Sequence, residues 1–184
     1  VAVNRDAGTS ALAGKIVVAI SAGGSHSLAL CSDGTVAAWG NNLYIQLGTP
    51  DIFPALSDVP LRVENRATLL WGPSALVGKT VTAIAAGEDH SLALCSDGTV
   101  TSWGQNSSGQ VGNSDWNVKA ALPVAVDRTT SSSALYGKSV VAIACGSLHS
   151  LALCSDGTIA TWGDNYYGQL GNGSSGLRSY NPVL

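Results

Sequence analysis

Methionine is absent from this chain, and Phe53 is its one phenylalanine. Charge is scarce as well: Asp, Glu, Lys and Arg make up 11% of the residues, against ~25% in an ordinary globular chain. A chain so poor in charge hides most of its surface in packed sheets or against another molecule. No run approaches the ~20 apolar residues of a membrane span, so no membrane partner is expected. The nine basic residues are scattered and the net charge is −3, which excludes the basic groove that nucleic acid requires. Helical periodicity is missing throughout. No signal segment is visible, but the chain opens on Val1 with no Met, which reads as a processed or excised piece.

What the chain does have is glycine, 22 residues of it, and a repeat. The decapeptide His-Ser-Leu-Ala-Leu-Cys-Ser-Asp-Gly-Thr occurs unchanged at 26–35, 90–99 and 149–158. Upstream of it lie Gly14-Lys15, Gly78-Lys79 and Gly137-Lys138, then Val-x-x-Ile segments that end in Gly23, Gly87 and Gly146. Downstream lie Trp39-Gly40, Trp103-Gly104 and Trp162-Gly163, then Gln46-Leu47-Gly48, Gln110-Val111-Gly112 and Gln169-Leu170-Gly171.

Each unit reads as four strands: A over Val17–Ala22, B over His26–Cys31, C over Thr35–Trp39, and a short outer D at Pro60–Val63 or Pro123–Val126. Asp33-Gly34 predicts a two-residue hairpin turn between B and C. Along strand B, His26, Leu28 and Leu30 face one way, and Ser27, Ala29 and Cys31 the other. One face is bulky, the other small, and neither is charged. Burial of both faces is what radially stacked blades require. The fold class is therefore all-β: β-propeller blades of four antiparallel strands, three per chain, repeating over approximately 1–59, 60–122 and 123–184.

Gly-x-x-His-Ser-Leu-Ala-Leu, Ser-Asp-Gly, Trp-Gly-x-Asn and Gly-Gln-Leu-Gly, in that order and at a period near sixty, resemble the regulator of chromosome condensation repeat. The third unit carries every element. The first departs at Ile45, where the family usually has Gly, and the second has Val111 in place of Leu. The resemblance implies a propeller, typically of seven blades. It spans an exchange factor for a small GTPase, a plant ultraviolet photoreceptor and a bacterial β-lactamase inhibitor, so it indicates fold better than function. The photoreceptor's extra tryptophans are replaced here by Gly24-Ser25, Glu88-Asp89 and Ser147-Leu148, which does not support light sensing.

The repeated residues are read as structural. His26, His90 and His149 each start strand B, where a buried imidazole can bond neighbouring backbone and lock the turn. His26 and Cys31 face opposite sides of one strand and cannot share a metal, so no metal or other cofactor is expected. A triad drawn from Ser27, His26 and Asp33 would recur in every blade; Asp33, Asp97 and Asp156 are already explained by their turns, so no catalytic residue is assigned. Trp39, Trp103 and Trp162 are expected in the core. Cys31, Cys95 and Cys154 are spread by the repeat, and Cys145 should lie opposite a residue near Ser150. Four small, reduced cysteines lean toward a cytoplasmic location.

Function should lie where the repeats differ. The A–B and C–D loops open on one face and carry Leu43, Tyr44, Glu88, Asp89, Trp116, Tyr166 and Tyr167. These are candidate contacts to a protein partner, or the tyrosines merely cover blade edges. Trp71, in a D–A loop, belongs to the opposite face. The expected role is a non-enzymatic scaffold for protein–protein interaction. The alternatives are a regulator of an enzyme, by nucleotide exchange on a small GTPase or by inhibition, and a piece of a larger propeller, natural or engineered. Three blades leave apolar faces and strand edges open. Missing blades or further copies would close the ring. A homodimer, giving six blades, is the first expectation, and a homotrimer would give nine. Val1–Val3, similar to Val124–Val126, could complete the last blade of another copy.

Overall fold

The structure is a computed structural model that describes residues 2–49, 55–64, 67–68 and 72–184. Three four-stranded antiparallel sheets follow one another along the chain. Blade 1 is β1 (Val17–Ala22), β2 (His26–Cys31), β3 (Val36–Asn41) and β4 (Leu56–Arg62). After the short pair β5 (Ala67–Thr68) and β6 (Gly72–Pro73), blade 2 is β7 (Val81–Ala86), β8 (His90–Cys95), β9 (Val100–Gln105) and β10 (Lys119–Ala125). Blade 3 is β11 (Val140–Cys145), β12 (His149–Cys154), β13 (Ile159–Gly163) and β14 (Ser179–Val183). By sheet, the blades thus run over 17–62, 81–125 and 140–183.

Strands A and B lie where the residue pattern places them. Strand C extends to Asn41 and Gln105 in blades 1 and 2, and strand D starts earlier than expected, at Leu56 and Lys119. The B–C connection also differs from the two-residue turn. Cys31 N–H donates to the Thr35 carbonyl at 2.8 Å and Gly34 N–H to the Cys31 carbonyl at 2.9 Å. This is a three-residue loop, Ser32-Asp33-Gly34, with Gly34 in the left-handed region at φ 79°. Asp33 is fixed twice, accepting from the Thr35 amide at 3.0 Å and pairing with Lys15 at 2.5 Å. The pair recurs as Lys79–Asp97 at 2.5 Å and Lys138–Asp156 at 2.6 Å. Each repeated Gly-Lys therefore ties the loop before strand A to the adjacent B–C loop of its own blade.

The core lies between blades. Leu28, Leu30, Val36 and Ala38 of blade 1 pack on Val81, Ala93, Cys95 and Trp103 of blade 2. Leu92, Leu94 and Val100 of blade 2 pack in the same way on Val140, Ala152, Cys154 and Trp162 of blade 3. The bulky face of one strand B seats on the small face of the next. Leu76 and Leu135, from the loops before strand A, plug the two interfaces.

The suggestion that Val1–Val3 completes another copy's last blade is corrected here. Val1 lies outside the described residues, Ala2 and Val3 form no strand, and β14 already supplies the fourth strand of blade 3. Trp71 also lies outside the described residues.

Candidate interaction face and blade junctions

The histidines do not bond the backbone of their own turn. His26 Nε2 lies 2.9 Å from Ser91 Oγ, 65 residues away in blade 2, and His90 Nε2 lies 2.9 Å from Ser150 Oγ in blade 3. Ser91 in turn donates its one hydroxyl proton to the Gln46 carbonyl at 3.0 Å, and Ser150 donates to Gln110 at 2.9 Å. The imidazole must therefore be the donor, with its proton on Nε2. The second lone pair of each glutamine carbonyl is taken by an indole: Trp103 Nε1 donates to Gln46 and Trp162 Nε1 to Gln110, both at 2.9 Å. Histidine, serine, tryptophan and glutamine, four of the repeated residues, thus form one fastener between consecutive blades.

Gly23, Gly87 and Gly146 make room for the ring. A Cβ on Gly87 would sit 2.1 Å from His90 Cε1, and one on Gly146 would sit 2.0 Å from His149 Cε1. Burial holds the His26 pKa down at about 4, against an opposing pull from the Glu88 backbone. His90 falls to about 3, through burial and then the neighbouring His26 and His149. Its Nδ1 is buried with no partner, so a second proton there would leave a donor unsatisfied. Among the described residues no group of three or more His, Cys, Asp or Glu side chains could hold a metal ion. The cysteines are free, and Cys145 pairs across the hairpin with Ser150, as its position predicts.

The C–D loops are built by the remaining repeat residues. Asn42, Asn106 and Asn165 accept through Oδ1 from the amides of Leu47, Val111 and Leu170 at 3.0–3.1 Å. Gln46, Gln110 and Gln169 accept through Oε1 from the amides of Tyr44, Ser108 and Tyr167. This tight loop needs a left-handed residue, and Gly109 and Gly168 meet the need at φ 83° and 79°. Ile45 takes the same conformation at φ 63°, so the one departure from glycine carries backbone strain.

The candidate contact residues divide. Glu88 accepts a bond from Ser147 Oγ and Asp89 accepts from Gln46 Nε2 at 2.7 Å, so both carboxylates join neighbouring blades. Leu43, Tyr44, Trp116, Tyr166 and Tyr167 keep exposed side chains. Tyr166 and Tyr167 meet edge to face with centroids 4.8 Å apart. Trp116 stacks at 4.3 Å on Tyr180, and the Arg178 guanidinium lies 6.0 Å from the same ring. Arg178 Nη1 also donates to the Ser107 carbonyl, joining blades 2 and 3 at the rim. Sequence reasoning found Trp116 but missed Tyr180 and Arg178. Both precede or begin β14, and nothing in the repeat marks them. The inner ends of the three A strands, from Ala22-Gly23 to Cys145-Gly146, line a concave mouth of about 460 Å³.

The profile described as Regulator of chromosome condensation (RCC1) repeat matches residues 33–94 and 97–153, and a second profile of the same description matches 17–46, 81–110 and 140–169. The chain belongs to the RCC1 repeat family. The human "Probable E3 ubiquitin-protein ligase HERC6" is 40% identical over 155 residues, covering 84% of this chain and 14% of that protein. "Protein pim1" of Schizosaccharomyces pombe is 31% identical over 176 residues, covering 89% of this chain and 30% of that protein. The crystal structure of Prp20p from Saccharomyces cerevisiae, described together with its binding properties to Gsp1p and histones, superimposes with a TM-score of 0.72. It is 25% identical and covers 94% of this chain and 39% of that one. This chain therefore spans well under half the length of each of these relatives.

Proposed function

We propose that this RCC1 propeller arc is a non-enzymatic scaffold that binds a protein partner through its C–D loop face. The observation that carries the reading is the division of labour among side chains. Nearly every repeated polar residue is spent on blade junctions or loop closure, whereas the non-repeated aromatics Tyr44, Trp116, Tyr166 and Tyr167 stand exposed on one rim. Large, preorganised aromatics of this kind are the usual anchors of protein interfaces. Gsp1p and histones, named with Prp20p, are the first probes. The expected result is that Trp116→Ala and Tyr167→Ala each weaken the bound probe about tenfold or more, the ~1.4 kcal/mol and upward of an interface anchor. Unchanged affinity in both variants would refute this face as the binding surface.

The likeness to Prp20p also supports a second reading, regulation of a small GTPase. Faster release of labelled GDP from Gsp1p on adding the chain would favour it over a passive scaffold. The apolar ends of the arc support the further reading that copies complete one another, as a homodimer of six blades or a homotrimer of nine. In a longer chain the blades beyond these three would fill the same ends.

A further inference from the structure

Asn172-Gly173 is the one Asn-Gly pair of the sequence, and it stands in the C–D loop of blade 3 between Tyr167 and Arg178. Residues 171–178 are all exposed. We infer that Asn172 is a site of spontaneous modification, at which the Gly173 amide displaces the side-chain ammonia and water then leaves an aspartyl or isoaspartyl carboxylate. Of all following residues glycine hinders such an attack least, because it has no side chain to shield its nitrogen. The chemistry needs no cofactor, enzyme or bound partner, only water and hydroxide.

The loop presents both reacting groups. The Ser174 amide and hydroxyl both donate to Asn172 Oδ1, at 3.2 and 2.7 Å. A main-chain N–H can meet only an oxygen there, which fixes the orientation of the side-chain amide. Negative charge develops on that oxygen when a nitrogen adds to Cγ, so the two donors are aimed where the charge appears. The nucleophile is free: among the described residues the Gly173 N–H has no acceptor. Gly173 lies in the left-handed region at φ 77°, and nothing lies within 4 Å of the place a Cβ would take. The comparable pairs elsewhere are closed. Gly34, Gly98 and Gly157, which follow aspartates, donate their amides to the carbonyls of Cys31, Cys95 and Cys154 at 2.9–3.0 Å. Those aspartates are held ionised, chiefly by Lys15, Lys79 and Lys138, and a carboxylate is a poor electrophile. Asn113 also precedes a small residue, but the Ser114 amide donates to the Tyr180 carbonyl at 3.1 Å. Asn42, Asn106 and Asn165 are buried keystones of their loops.

Hydroxide takes the Gly173 amide proton, the bond from Gly173 N to Cγ forms, and the Cγ–Nδ2 bond breaks as ammonia leaves. The product is a five-membered imide, and nothing is oxidised or reduced. Water opening the imide at Cγ gives aspartate. Water opening it at the main-chain carbonyl carbon gives isoaspartate, with the chain routed through Cγ. Either product puts a negative charge where a neutral amide stood, on the face that carries the exposed Tyr166 and Tyr167. The isoaspartyl form also lengthens the main chain by one methylene and removes the turn that Asn172 makes on Ser174. The Ser174 carbonyl in turn accepts from the loop keystone Asn165 at 3.1 Å, so this loop loosens. β13 and β14 lie outside the turn, and blade 3 keeps its sheet.

Peptide mapping by mass spectrometry tests this on the folded chain, held at neutral and at mildly alkaline pH. The peptide ending at Arg178 should gain the mass of an acid over an amide, fragmentation should place the change at Asn172, and the rate should rise with hydroxide. An isoaspartyl methyltransferase with labelled S-adenosylmethionine should then tag that peptide alone. In urea the Asp-Gly pairs lose their bonds, and label should appear at Asp33, Asp97 and Asp156 as well. Asn172→Gln should abolish the change, because its ring would be one atom larger. Ser174→Ala should slow it several-fold, less than the ~10²-fold of a buried donor, since this one faces water. Both positions are exposed, so each variant keeps its fold, which circular dichroism verifies. An Asn172 that stays intact in the folded chain while it converts in urea would overturn the site, as would conversion at the same rate across the other asparagines. An unslowed Ser174→Ala would overturn the part given to its two donors.

Discussion

At the scale of the residue, the histidines of the first two repeats are neutral donors, and their environment depends on that neutrality. The folded pKa values of His26 and His90 lie near 4 and 3, whereas an unfolded chain binds the proton near 6.5. The unfolded state therefore binds more protons between those limits, so stability is complete above pH 6.5 and falls as the pH drops toward 4. For His26 the loss is ~3 kcal/mol at most, from 1.36 kcal/mol per unit. Urea midpoints measured from pH 7 to 4 should fall throughout this window, and His90→Gln should flatten the slope. A midpoint constant down to pH 4 would contradict the neutral junction. The exposed Asp33 responds in the opposite range: its pKa is held down near 2, chiefly by Lys15, so its small contribution is lost only as pH falls below the unfolded value of 3.8. Gly87 is as demanding as the ring it faces. Gly87→Ala drives a methyl into His90 and should cost about 2–3 kcal/mol in chemical denaturation, since the neighbouring wall is main chain and cannot retreat.

At the scale of the element, the strands and their facing were legible because strand B alternates large and small apolar residues with no charge on either side. That pattern has one solution, a sheet covered on both faces. Strand ends were less legible. The B–C loop has three residues, because Gly34 takes the left-handed position after a turn that starts at Cys31. The targets of His26 and His90 could not be read, because their serines lie 65 and 60 residues away and become neighbours only through blade stacking. The rim cluster was half legible: Trp116 stands out in its loop, while its partner Tyr180 looks like any residue of a terminal strand. The interlock of large and small faces predicts unequal costs for one substitution at equivalent places. Leu94→Ala should cost about 2–5 kcal/mol by leaving a cavity between blades 2 and 3. Leu153→Ala, at the open end, should cost well under 1 kcal/mol in the same urea titration.

At the scale of the whole molecule, this is an arc whose repeated residues hold blades together and whose varied residues face outward from the loops. The hydrogen bonds between blades carry the first part, and the exposed aromatics support the second. It follows that a residue's contribution is set by its place in the arc and not by its local sequence, because the decapeptide is the same in every blade. Ser27 and Ser150 are the sharpest comparison: identical neighbours on both sides, but only Ser150 receives a histidine from a preceding blade and donates to a glutamine carbonyl. The most direct test is the unfolding free energy of Ser27→Ala and Ser150→Ala, both measured at a concentration where light scattering gives the mass of a single chain. The fastener account predicts a loss of about 1–3 kcal/mol for Ser150→Ala, which strands a buried imidazole N–H, and little for Ser27→Ala. Equal losses at the two sites would contradict it, and would return the repeated histidine and serine to a role within their own blade.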